Sequence, residues 1–307
     1  MKTVPPLKLI RVEKLSVVIP TMNRRQVLLE TLEYLREQTF SDFELIVIDQ
    51  SDTPNQEAES MLANFPVRAR YYHVEEFRGL PQARNFGWRK ARGQIVVYID
   101  DDIECDSNFL QAHYDAHCRT DATMVAGGVT ESKGDRTQPG GPGSFNWWTA
   151  TPKRNFHMQR PGWCLHAPGG NFSIRRSALE QVGGFDENLS VGAALYEETE
   201  LALRLRSAGF RCWFAPEAHV VHLAAPMGGC RVPRDVPRYV YGMGHNRSLL
   251  IFRHLRPWHR PSAILRMVLY GVTFSRAVNS LTPLLAALQG ICAGRRAARD
   301  LRSKAGL

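Results

Sequence analysis

Three consecutive aspartates, Asp100, Asp101 and Asp102, follow directly on the apolar run Ile95-Val96-Val97-Tyr98-Ile99. A run of β-branched and aromatic residues without a charge reads as a strand buried on both faces. The carboxylates therefore begin where that strand ends. In an open parallel α/β sheet, ligands bind outside the carboxyl ends of the strands. Carboxylates placed there suit a hard divalent cation that takes oxygen ligands and shares them with phosphate. An isolated triplet also fits an acidic strand-to-helix turn, with Asp106 or Ser107 starting a helix into Phe109-Leu110. Alternation along a strand puts Asp100 and Asp102 on one side and Asp101 on the other.

The same arrangement occurs twice upstream. Leu15–Pro20 is a short apolar strand followed by Thr21, Met22, Asn23, Arg24 and Arg25, then by apolar residues at Val27, Leu28, Leu32 and Leu35 with helical spacing. Phe43–Asp49 is a second strand ending in a carboxylate, followed by Gln50-Ser51-Asp52. A weaker strand, Arg70–Val74, precedes a helical stretch containing Pro81, Ala83, Arg84, Asn85 and Trp88. Alternating β and α elements with short connections predict an α/β fold with a mostly parallel central sheet covered by helices. Thr21, Asn23, Asp49 and Asp100 would then converge on one edge.

Several strings stand in order along the chain: Val-Val-Ile-Pro-Thr-Met-Asn-Arg (17–24), Val-Ile-Asp-Gln-Ser-Asp (47–52), Gly-Leu-Pro-Gln-Ala-Arg-Asn-Phe-Gly (79–87) and Asp-Asp-Asp (100–102). Gly-Gly-Asn-Phe-Ser-Ile-Arg-Arg (169–176), Val-Gly-Gly-Phe-Asp-Glu (182–187) and Tyr-Glu-Glu-Thr-Glu-Leu (196–201) continue the series. In this order and spacing the chain resembles the inverting family 2 glycosyltransferases of the GT-A fold, over about residues 14 to 225. The resemblance implies that Pro20, Thr21 and Asn23 line the nucleotide and that Asp49 reads a pyrimidine base. Gln50 stands where such proteins often carry a second aspartate. Arg84 and Asn85 would belong to the nucleotide pocket, Arg84 pairing with phosphate or an aspartate; ordinary helix-surface polarity is the alternative for both. Asp100 and Asp101 would face the donor, Asp100 meeting ribose or metal-bound water. Asp100 and Asp102 would serve Mn²⁺ or Mg²⁺, which neutralises a diphosphate leaving group.

Sugar transfer with inversion also needs a carboxylate that takes the acceptor hydroxyl's proton. Tyr196–Leu205 reads as a helix start, where acidic residues are favoured. Leu201, Leu205 and Ala208 form its apolar stripe, and Gly209 is a stop. Glu198 stands where the family usually has the aspartate of a Glu-Asp pair. The resemblance makes Glu198 the base, Glu197 second, and Glu200 structural. It also offers His222 as a further metal ligand, with His219 a polar residue at the start of the same strand; imidazole suits Mn²⁺ better than Mg²⁺. The stretch 131–168 is rich in Gly and Pro and carries Trp147, Trp148 and Trp163. Such long segments are usually functional or mobile, and the tryptophans either stack on sugar or pack on the sheet. Gly169-Gly170-Asn171 would let backbone approach the acceptor. The expected acceptor-binding set is Gly170, Asn171 and Trp163.

A chain of 307 residues with 44% hydrophobic content has material for a full core. Its six cysteines show no C-x-x-C spacing, so neither zinc nor a disulfide framework is indicated. Residues 1–14 mix prolines and charges without an apolar stretch, which predicts a cytoplasmic protein. The net charge of +9 is concentrated at one end: residues 231–307 hold fourteen Lys and Arg against two acidic residues, and the remainder holds 25 against 28. The expected organisation is a catalytic domain over 1–230 and a basic helical extension over 231–307. Arg266, Arg276 and Asn279 interrupt any span of the roughly 20 apolar residues a membrane-crossing helix needs. A basic, aromatic, amphipathic segment predicts peripheral attachment to an anionic membrane surface, on the inner face of the cell membrane. A solvated helical tail is the alternative. Nucleic acid is not an expected partner, because no nucleic-acid motif accompanies the charge.

The expected reaction is transfer of one sugar from a UDP or dTDP sugar to a hydroxyl on a glycan or lipid-linked acceptor, as in cell-surface polysaccharide or glycolipid assembly. Gln159-Arg160-Pro161-Gly162-Trp163 lacks the Gln-x-x-Arg-Trp spacing of processive synthases. A nucleotide-sugar binding protein without turnover is the alternative. A glycoside hydrolase would also need two carboxylates, but it gives no reason for the nucleotide motifs.

Overall fold

The computed structural model describes residues 13–225 and 235–304. The expected boundary at 230/231 lies outside the described residues, as does Cys230. The chain opens with β1 (Leu15–Thr21), α1 (Arg25–Arg36), β2 (Phe43–Asp49), α2 (Gln56–Ala63), β3 (Arg68–His73), α3 (Leu80–Lys90) and β4 (Ile95–Ile99). β1, β2 and β4 are buried along their whole length, because alternate residues serve two cores. Leu15, Val17, Ile19, Leu45, Val47, Val97 and Ile99 face α1, whose Leu28, Leu32 and Leu35 pack on them. Val18, Ile46, Ile48, Val96 and Tyr98 face the opposite layer. Period-2 burial on both faces is why these strands read as continuous apolar runs.

After the aspartates come β5 (Ile103–Cys105), α4 (Phe109–Arg119) and β6 (Met124–Glu131), then the short β7 (Ser144–Asn146), β8 (Thr151–Lys153) and β9 (Gly162–Cys164). β10 (Asn171–Arg175), α5 (Arg176–Val182), α6 (Glu197–Ser207) and β11 (Cys212–His222) follow. The main sheet has the order β3-β2-β1-β4-β10-β6-β11-β5, with β9 also on β11. β1, β2, β3 and β4 are mutually parallel, and β6 runs parallel to β11. β10 is antiparallel to both of its neighbours. That reversal sets Asn171 opposite Ile99, so the Gly169-Gly170 turn lies against the carboxyl end of β4. The backbone N–H of Asp100 donates to Gly170 O at 3.3 Å.

The triplet does not lead straight into a helix as an acidic cap. The chain first forms β5, which pairs antiparallel with β11 and sets His222 opposite Ile103. α4 begins only at Phe109, without a side-chain cap. Two histidines of α4 are buried against β10. His113 lies 2.9 Å from Ser173 Oγ and 2.8 Å from Asn171 Oδ1, and His117 is 2.9 Å from the same Ser173 hydroxyl. Burial pushes His113 down to about 4 and His117 down to about 3.

The C-terminal part forms α7 (Val236–His254), α8 (Arg260–Ala277) and α9 (Thr282–Lys304). These helices pack into the same body as the sheet. Leu250, Ile251, Leu255, Ala263, Met267 and Ile291 share a core with Phe145, Ala150 and Leu203. Asn246 of α7 donates through its amide to the carbonyls of Leu189, Val191 and Leu195, at 3.1, 3.1 and 3.2 Å. α9 approaches α7 through glycines: a Cβ on Gly290 would lie 2.3 Å from Tyr241 O, and one on Gly294 2.2 Å from His245 O. Such a contact leaves no room for a side chain.

Two outcomes follow from this packing. Gly290→Val or Gly294→Val should cost about 1–3 kcal/mol or more by forcing α7 and α9 apart, read as a lower midpoint in denaturant unfolding. The neutral buried histidines bind protons in the unfolded chain before they do in the folded one. Their contribution is complete above the unfolded value near 6.5 and is lost as pH falls toward the folded value of about 4 for His113. The unfolding midpoint should therefore drop between pH 6.5 and 5, and His113→Gln should make that drop shallower.

Candidate functional site

A cavity of about 510 Å³ opens at the carboxyl ends of β1 and β4. The Thr21–Arg24 loop, the aspartate triplet, the Gly169-Gly170 turn, the start of α6, His222 and Arg247 line it. Asp100, Asp102 and His222 each bring one ligand-type atom into a group whose members lie within 4.8 Å of one another. His222 reaches this group because β11 ends there. Its Nδ1 bonds Glu131 Oε2 at 2.7 Å on the adjacent β6, which turns Nε2 toward Asp102 Oδ1 at 3.3 Å. Burial disfavours its charge, but the hydrogen bonds to Asp102 and Glu131 outweigh burial and push His222 up to about 10.

Asp102 is fully buried, and its Oδ2 accepts from Ala225 N–H at 2.9 Å. Burial raises its pKa, but His222, Arg24 and that N–H together hold it below the usual value. Its Oδ1 is buried and meets only His222 Nε2 among the described residues, at 3.3 Å. A buried carboxylate oxygen beside a second carboxylate and an imidazole fits a divalent cation, and the imidazole favours Mn²⁺ over Mg²⁺. Asp101 points the other way. It accepts from Thr21 Oγ1 and Arg24 Nη1, both at 2.6 Å. Burial lifts it to about 6 against the pull of Arg24. Asp101 thus fixes the β1 loop that forms the cavity lip.

The acidic start of α6 divides its three glutamates among three environments. Tyr196 adopts a left-handed conformation (φ 74°) that starts the helix at Glu197. Glu197 is buried and bonded to Arg84 Nη1. Burial and the neighbouring Glu198 push its pKa well up, while Arg84 opposes them. Glu200 is buried among Arg204 at 2.7 Å, Arg253 at 2.9 Å and His254 at 3.3 Å. Burial works against its charge, yet Arg204 and the other cations hold it well below the carboxylate range. Glu198 alone is partly exposed on the cavity wall. Its Oε1 accepts from Thr199 Oγ1 at 2.9 Å, and its Oε2 lies toward Gly169.

Pro20, Thr21, Arg84, Asp100, Asp101, Asp102, Gly170, Glu197, Glu198 and His222 all line the cavity. Arg84 is wholly buried beneath it, donating to Gly169 O at 2.6 Å and lying 3.7 Å from Asp100. A Cβ on Gly170 would fall 2.5 Å from Asp100 Oδ2, so glycine is required where the two strands meet.

Five expected site residues are elsewhere. Asp49 is buried beside the cavity, accepting from Ser51 N–H at 2.8 Å and Tyr71 Oη at 2.5 Å; the next residue, Gln50, lines the cavity. Asn23 is exposed and exchanges hydrogen bonds with Asp52, clasping the first two loops together. Asn85 uses its whole amide on Phe185 N and O, Glu187 and Trp88. Asn171 does the same with Gly128 O, Ala218 O and His113. Trp163 lies on edge strand β9, beside Trp213 and under the Arg211 guanidinium at 3.3 Å. Arg24, Glu131 and Arg247 were not anticipated. Arg24 lies inside the first motif, whereas Glu131 and Arg247 carry no local signal.

The fold is similar to that of the mannosyltransferase PcManGT from Pyrobaculum calidifontis, solved with GDP-Man and Mn²⁺. That likeness has a TM-score of 0.58 at 17% identity and covers 93% of this chain and 89% of the other. The glucosyl-dolichyl phosphate glucuronosyltransferase of Haloferax volcanii is 29% identical over 182 residues, 57% of this chain and 56% of that protein. The glycosyltransferase GlyG of Streptococcus pneumoniae is 32% identical over 119 residues, 38% of each. The chain thus matches little more than half, or less, of these relatives' own length. Residues 16–183, from β1 through α5, match the model of glycosyl transferase family 2, and the chain belongs to that family.

Proposed function

We propose that this protein transfers a single sugar, with inversion, from a nucleotide-diphosphate sugar to an acceptor hydroxyl. One observation carries this reading: a single cavity holds both a cation-type triad and one partly exposed glutamate. Asp100, Asp102 and His222 would hold Mn²⁺ or Mg²⁺, which when bound supplies Lewis-acid neutralisation of the diphosphate. Pro20, Thr21 and Arg24 form the lip against which the nucleotide lies, with UDP or dTDP the expected carriers. Glu198 receives the acceptor proton. Its neighbour Glu197 is unsuited to that, since it is buried and Arg84 already engages it. Gly170 allows the acceptor or donor sugar to approach the backbone beside Asp100.

The extension supports a peripheral place on an anionic membrane, where a lipid-linked acceptor would be presented. No helix among the described residues is long and apolar enough to cross a membrane. Leu265 and Leu269 on α8 and Leu281, Leu285 and Leu288 on or beside α9 are 42–70% exposed, on helices that also carry most of the chain's excess basic charge. Exposed leucines among arginines suit an interfacial surface. The resemblance to a dolichyl-phosphate-directed enzyme agrees with a lipid-linked acceptor in a polysaccharide or glycolipid pathway.

A thermal-shift screen of UDP, dTDP and GDP sugars with Mn²⁺ should single out one donor. With that donor, Asp102→Asn should abolish cation-dependent nucleotide binding, while Glu198→Gln should keep it and slow transfer by roughly two to four orders of magnitude. Unchanged cation-dependent affinity in the first variant, or normal transfer by the second, would sink the assignment. For the membrane, the full chain should sediment with phosphatidylglycerol vesicles at low salt and release as salt rises. Leu269→Glu with Leu285→Glu should weaken sedimentation without altering nucleotide affinity; equal sedimentation of both proteins would remove α8 and α9 as the contact.

A further inference from the structure

Arg247 is a cavity-wall residue that neither the cation triad nor the proposed base uses. It projects from α7 and is only 3% exposed. Its guanidinium lies 5.2 Å from the Tyr196 ring centre and 5.5 Å from that of Tyr270. Its guanidinium meets the Tyr270 hydroxyl, but its Nε and Nη1 have no hydrogen-bond partner among the described residues. The other three arginines of the cavity are ion-paired: Arg24 with Asp101 and Asp102, Arg84 with Glu197 and Asp100, and the exposed Arg154 with Glu131 at 3.6 Å. Arg253, further along the same helix, is paired with Asp186 and Glu200. The fold therefore supplies carboxylates to buried arginines generally, and leaves this one with open donors. A buried cation with unmet donors is unfavourable until an anion meets it.

The position of Arg247 indicates which anion. It touches Tyr196, two residues before Glu198, and shares the cavity wall formed by Ala193–Glu198. On the reading above, the donor's diphosphate charge is matched by the cation group of Asp100, Asp102 and His222. A guanidinium fork presents two parallel N–H donors, the geometry of a bidentate contact to phosphate or carboxylate.

We propose that Arg247 receives an oxyanion of the acceptor, a phosphate ester or a carboxylate, and so determines acceptor specificity by holding the acceptor with its hydroxyl toward Glu198. This rests on the transferase reading given above. The chemical class of acceptor is then an anionic one, and the helical extension supplies the residue that selects it.

The test uses the full chain saturated with its nucleotide and Mg²⁺, titrated with phenyl phosphate, benzoate and phenol by calorimetry and thermal shift. One or both anions should bind and stabilise the wild type, and phenol should not; whichever binds identifies phosphate or carboxylate as the group recognised. Arg247→Gln should weaken that binding roughly ten- to hundredfold. Arg247→Lys should restore part of it, and both variants should keep wild-type nucleotide affinity, which also reports that they are folded. Equal anion binding by wild type and Arg247→Gln, or none by the wild type, overturns the proposal. Loss of nucleotide affinity in Arg247→Lys with anion binding intact assigns the residue to the donor and overturns it as well. A wild type that binds no nucleotide with any cation defeats the transferase reading itself, and the acceptor role with it, whatever the anions do.

Discussion

The buried ion pair between Arg84 and Glu197 is the interaction on which the arrangement of the cavity depends. Arg84 comes from α3, Glu197 from the start of α6, and the same guanidinium reaches Gly169 O and lies beside Asp100. Four separate pieces of chain are thereby held to one planar group. The rings of Phe172 and Phe185 lie 5.3 and 5.6 Å from it and keep water away. Desolvating two charges is expensive, and an apolar pair of equal volume would often be as stable. An apolar pair would not, however, fix the direction of the Gly169 carbonyl or the rotation of α6. The pair sets where Glu198, one residue on, faces the cavity.

Polar residues around the cavity form two populations. Asp101, Asn85, Asn171 and Asp49 are hydrogen-bonded within the protein and act as struts between loops. Around the cavity, Asp102 Oδ1, two nitrogens of Arg247, Arg84 Nε, Gln138 Oε1 and His166 Nε2 are buried without a hydrogen bond among the described residues. Since buried polar groups are nearly always satisfied, the second population marks where external atoms belong. Among its charged members, the Asp102 carboxylate suits a cation and the Arg247 guanidinium, with two open nitrogens, suits an anion.

Much of the fold was legible because it follows from burial. β2 and β4 begin and end where their runs were read, and β1 runs one residue beyond, since a strand buried on both faces is mostly apolar; the one interior charge, Glu44 of β2, is paired with Arg70. The convergence of Thr21 with the aspartate triplet was legible for the same reason, being fixed by parallel pairing of β1 with β4. The directions of Asn85 and Asn171 were not. Apart from Trp88, their partners lie between 43 and 102 residues away, and an asparagine in a motif looks the same whether it meets a ligand or a carbonyl. β5 was hidden in three residues between the triplet and α4, although it is what brings His222 alongside. Arg247 was hidden more completely: it sits in a stretch whose composition suggested a solvated or membrane-facing tail, and only tertiary packing places it on the cavity.

The hold of Asn246 on the Leu189–Leu195 stretch has a consequence for how the molecule is made. A chain emerging from the ribosome can complete the parallel strands, the triplet and the Gly169-Gly170 turn before α7 exists. The loop that precedes Glu198 gains its three amide contacts only when Asn246 arrives, some fifty residues later. The side of the cavity formed by the aspartate triplet is thus assembled early and the side formed by Ala193–Glu198 last, so the cavity acquires its full wall only when the helical extension has been made.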